Sequence, residues 1–80
     1  MISVRARTLA ITLNLKRARA QALSQAEGGT VHVIADPDYP DAPSPYAIAD
    51  DAALENFYHF TAGDYLTRIL YTYVDGQLET

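Results

Sequence analysis

The chain contains no cysteine, so neither disulfides nor thiolate metal sites can hold it together. No run approaches the ~18 apolar residues that a membrane-crossing helix needs. The amino-terminal segment alternates apolar and polar residues where a secretory signal would carry a continuous apolar core, so the expectation is a soluble protein acting where it is made. Absence of cysteine fits a reducing compartment but does not require one. The two histidines, His32 and His59, stand at no ligand spacing and have no neighbouring serine or cysteine to activate. Gly28-Gly29 lacks the spacing and the lysine of a phosphate loop. No catalytic, cofactor-binding or metal residue is therefore assigned, and a non-enzyme is expected.

What is present is a small chain with its charge divided. Eighty residues form one domain, 1–80, with a core worth only ~3–5 kcal/mol, for which a chain without disulfides or metal turns to oligomerisation or docking on a larger assembly. Residues 1–26 carry Arg5, Arg7, Lys16, Arg17 and Arg19 with no acid, whereas residues 27–80 carry ten acids and Arg68 alone. Such a chain can fold its basic segment onto its own acidic part or offer one end to a neighbour's other end. An ordinary solvated surface is the plainer reading.

In T-L-A-I-T-L-N-L, residues 8–15, Leu9, Ile11, Leu13 and Leu15 alternate with Thr8, Ala10, Thr12 and Asn14, the period of a strand. A helix would set Leu9 and Leu13 almost opposite Ile11 and Leu15. A strand is the favoured reading, with one long helix over 4–27 as its competitor. From Lys16 the pattern Leu15, Ala18, Ala22, Ala26 is helical and Gly28-Gly29 ends it. Residues 30–35, T-V-H-V-I-A, form a strand that leaves at Asp36-Pro37. This order suggests a right-handed strand-helix-strand crossover. Asp50 or Asp51 caps a second helix through Leu54, Phe57 and Phe60, ending at Gly63. Residues 66–74 read as a strand with Ile69, Tyr71 and Tyr73 on one face, and Asp75-Gly76 turns it into a short return over 77–79. The fold class is α+β: about three strands and two helices.

All four prolines lie in A-D-P-D-Y-P-D-A-P-S-P-Y, residues 35–46. Pro37, Pro40 and Pro43 recur with the polyproline II period, so 36–46 is expected to be an extended arm anchored by Tyr39 and Tyr46. Whether they anchor in this chain's core or in a neighbour is open. Asp36, Asp38 and Asp41 lack the glycine and terminal glutamate of a calcium loop, leaving a solvated acidic loop as the commoner reading and a cation in another geometry as the other. Every aromatic residue lies outside the basic segment, so stacking and phosphate contacts would come from different places and no direct nucleic-acid binding is expected.

Residues 17–37, R-A-R-A-Q-A-L-S-Q-A-E-G-G-T-V-H-V-I-A-D-P, and 68–76, R-I-L-Y-T-Y-V-D-G, resemble small structural proteins encoded among the head and tail genes of tailed bacteriophages. The resemblance covers about half the chain. It implies a non-enzymatic building block of a capsid, neck or tail, with no cofactor, found in the virion after assembly in the host cytoplasm. Its partners would be further copies of itself and other virion proteins. Tyr39, Tyr46, Arg5, Arg7 and Arg17 are the residues expected to meet them. The alternative is a small acidic inhibitor or adaptor that binds a basic surface of a host protein.

Overall fold

The structure, a computed structural model, describes residues 3–35 and 45–79, and Arg5 in its backbone alone. Its elements are α1 (Val4–Glu27), β1 (Thr30–Ala35), β2 (Tyr46–Asp50), α2 (Asp51–Asn56), α3 (Ala62–Thr67), β3 (Ile69–Val74) and β4 (Gln77–Leu78). The strands form one antiparallel sheet in the order β2-β1-β3-β4. The expected α+β class holds.

Two expectations fail at the amino-terminal end. Residues 8–15 are not a strand but the middle of α1, which runs unbroken for 24 residues. Ser3 caps it, accepting a hydrogen bond from the Ala6 amide at 3.0 Å. The Thr8 and Thr12 hydroxyls donate back to the carbonyls of Val4 and Leu9, which satisfies both side chains within the helix they would otherwise disfavour. The crossover also disappears: β1 runs antiparallel to both neighbours, and α1 precedes the sheet.

β1 lies at the centre of the packing, with Val31, His32, Val33 and Ile34 all buried. Alternate residues point to opposite faces. Val31 and Val33 join Ala20 of α1 and Tyr73 of β3, with Leu13, Leu23, Tyr46, Ile48 and Tyr71 packed around them. Ile34 joins Ala49 and Leu54 on the other face, beneath Ala53, Tyr58 and Phe60. Fully burying residues such as Val33 and Ile34 contributes about 1.5–3 kcal/mol each. The domain has three layers, α1, the sheet and α2, and α3 joins the last through the contact of Tyr65 with Phe60.

The carboxyl-terminal half departs from expectation in its boundaries. Asp50 is the cap of α2, accepting from the Ala53 amide at 2.8 Å, but the helix ends at Asn56 and His59 turns the chain with φ 53°. Thr61 and Asp64 then form a capping box that starts α3, so Gly63 lies inside a helix instead of ending one. Hydrogen bonds from the Thr61 backbone, with Arg68 nearby, hold the Asp64 carboxyl below its usual range. A bulge where Val33 and Ile34 pair with Tyr71 and Ile69 leaves Leu70 as the extra residue. Ile69 therefore packs with Ile34, on the face opposite Tyr71 and Tyr73.

The Asp75-Gly76 turn forms as read, with φ 51° and 83°, and it docks α1. Gly76 N–H donates to Ser24 Oγ at 2.8 Å, Gln21 Nε2 donates to Gly76 O at 2.9 Å, and Gly29 N–H donates to Asp75 Oδ1 at 2.7 Å. A Cβ on Gly76 would stand 2.9 Å from Gln25 Cβ. Gly76→Ala is expected to cost about 1–3 kcal/mol in urea denaturation, through both the positive φ and the crowding. Gly63→Ala, at an open helical position, should be neutral or stabilise by up to ~1 kcal/mol.

Candidate interaction surfaces

A 24-residue helix is about 36 Å long, close to the longest dimension of the molecule, 38 Å. Its inner side meets the sheet through Leu13, Arg17, Ala20, Gln21, Leu23 and Ser24. On the outer side, roughly half a turn away, Val4, Ile11 and Leu15 are 82%, 54% and 66% exposed. Thr8, Ala18 and Ala22 continue the same line and are exposed as well. The steps 4, 8, 11, 15, 18, 22 alternate four and three, the spacing of a helix-packing seam. Arg7 and Arg19, both exposed, flank this line on its two sides.

A second apolar surface lies on the opposite layer. Phe57 and Leu66 are 72% and 86% exposed, and a row of edge-to-face rings joins Phe57 through Tyr58 and Phe60 to Tyr65, with centroids 4.8, 6.3 and 5.5 Å apart. Residues 45–67 contain Asp50, Asp51, Glu55 and Asp64 and no lysine or arginine. The following cation, Arg68, is engaged within the chain: its guanidinium sits 4.4 Å above the Phe60 ring, its Nε donates to Ala35 O, and Asp64 lies 3.9 Å away. The segment that carries this surface is acidic.

The residues expected to meet partners are scattered over the fold. Arg7 is exposed on the outside of α1. Arg5 lies in the first turn of α1 and is described in its backbone alone. Arg17 turns inward: its guanidinium lies 4.0 Å over the Tyr71 ring and its Nε donates to the Tyr73 hydroxyl at 3.0 Å. That hydrogen bond raises the Arg17 pKa above its ordinary value, so the side chain stays charged. Tyr46 packs, partly buried, against its own core. Tyr39 and Asp36, Asp38 and Asp41 lie outside the described residues. The two ends of the proline-rich stretch stand side by side, since Ala35 pairs with Tyr46.

Sequence reading missed one polar cluster. His32, 8% exposed in its side chain, places Nε2 2.6 Å from Asp51 Oδ1 and Nδ1 2.9 Å from Thr72 Oγ1. These residues are 19 and 40 positions from His32, so only the fold brings them together. Hydroxyl, imidazole and carboxylate in line are the parts of a hydrolytic relay, but here they tie α2 to the sheet and satisfy a buried ring. Among the described residues no three histidine, cysteine or acidic side chains are grouped to hold a metal, and no helix is long and apolar enough to cross a membrane.

No protein-family model, curated protein or solved structure matches the chain.

Two substitutions separate structural from surface roles. Asp51→Ala leaves the His32 ring without its carboxylate and is expected to cost about 1–3 kcal/mol by urea titration, whereas Glu55→Ala on the same short helix should stay within ~0.5 kcal/mol. Tyr46→Ala should destabilise the monomer by about 1–3 kcal/mol, because its ring is part of the core.

Proposed function

We propose that the chain is a non-enzymatic structural or assembly protein of a tailed-phage particle, working in a capsid, neck or tail through contacts between subunits. The observation that carries this reading is the outer face of α1, where Val4, Ile11 and Leu15 lie in the open on one line. Isolated apolar residues on a surface are ordinary, but three large ones aligned on the outer side of one helix favour a face that another protein covers. A domain of this size without disulfides also gains more from a neighbour than a large one does. The resemblance of residues 17–37 and 68–76 supplies the phage context. These segments form the carboxyl-terminal half of α1 with β1, and β3 with its turn, the parts that make the first core cluster.

The acidic patch around Phe57 and Leu66 favours a second reading, an inhibitor or adaptor seated on a basic host surface. The two readings differ in where the protein ends up. Mass spectrometry of particles purified from a culture that produces the chain should find it at a fixed copy number per particle. Its absence from particles, together with a one-to-one complex with a single basic host protein, would replace the structural reading with the inhibitor.

A further inference from the structure

The outer face of α1 needs an occupant, and its flanking charges restrict the choice. Five of the six basic residues of the chain lie on α1, against one acid, Glu27. Two copies that paired these outer faces, in either direction, would lay two strongly basic helices side by side. Like charges beside a helix seam disfavour either arrangement. The seam therefore asks for a partner with apolar side chains on an acidic segment.

The same molecule carries such a surface. Phe57, Tyr65 and Leu66 are exposed on a segment, residues 45–67, that holds four acids and no lysine or arginine; of these acids Asp51 also meets His32 and Asp64 also meets Arg68. We propose that the outer face of α1 in one copy is covered by the Phe57–Leu66 patch of the next copy, so that subunits join head to tail. This rests on the reading of the chain as a building block and names its contact.

Topology makes the contact heterologous. α1 packs on one side of the sheet, and α2 with the Tyr58 and Phe60 rings on the other, with Tyr65 of α3 against Phe60, so the two surfaces lie on opposite sides of the sheet. One copy cannot close them on itself, and two copies cannot satisfy both contacts at once. A third copy adds to the free seam or the free patch, and growth stops only if the rotation closes a ring. Opposite charge on the two segments makes the association fall as salt rises.

Two variants test this by complementation. Ile11→Glu with Leu15→Glu breaks the seam, and Phe57→Ser with Leu66→Ser removes the patch without a charge that could pair with the new glutamates; all four side chains are exposed, and circular dichroism confirms that each variant stays folded. By sedimentation velocity the wild-type chain should grow in mass with concentration, and each variant alone should associate at least ~10-fold more weakly. Mixed, the two variants should form a one-to-one dimer and nothing larger, because one intact seam meets one intact patch. A patch variant that still dimerises by itself, or a mixture that stays monomeric while the wild type associates, overturns the inference and leaves the building-block reading in place. A wild-type chain that is monomeric at every concentration and salt also overturns it. The building-block reading then stands or falls on whether purified particles contain the chain.

Discussion

The structure depends on covering one short strand from both sides. β1 is flanked by β2 and β3 within the sheet, and its successive residues feed two separate clusters, Val31 and Val33 on one face and Ile34 on the other. A strand buried on both faces requires a layer above and a layer below. With so few residues available, a single helix supplies the first layer. α1 is pinned along its inner side by Leu13, Ala20 and Leu23, and by polar contacts from Arg17, Gln21 and Ser24 to the β3–β4 hairpin. Among the described residues, none forms a layer over the opposite side of that helix.

That arrangement explains what was legible in the sequence. Leu9, Ile11, Leu13 and Leu15 alternate as a strand does, yet they also place two apolar lines on opposite sides of a helix. For a helix buried on one side only, the second line has no purpose, and the strand reading looks better. The residues that mislead about secondary structure are therefore the residues that point to the interaction surface. β1, the β3 strand and the Asp75-Gly76 turn were readable because β-branched runs and a two-residue turn are local signals. β2 was hidden by its alanines and by the prolines before it. The bulge at Leu70 and the His32–Asp51–Thr72 cluster depend on strand pairing, which no local pattern encodes.

The division of charge along the chain becomes a division between layers. The helix that carries most of the cations lies on one face of the sheet, and the segment between β2 and β3, free of lysine and arginine up to Arg68, lies on the other. Arg17 and Arg68 are each drawn into aromatic contacts inside the fold. What remains outside is a basic helix with an apolar line and an acidic patch with exposed rings. Each alone is a common surface feature; the proposed head-to-tail contact pairs the two, and contacts between opposite faces give chains or rings.

The most direct measurement of that complementarity uses the absence of cysteine. Leu15→Cys on one copy and Leu66→Cys on another introduce single thiols at the seam and at the patch, and mild oxidation of an equal mixture captures whichever surfaces meet. Head-to-tail contact predicts that disulfide-linked heterodimers exceed both homodimers by well over the statistical two-to-one-to-one ratio. A product dominated by the Leu15→Cys homodimer, or a merely statistical mixture, would contradict the account.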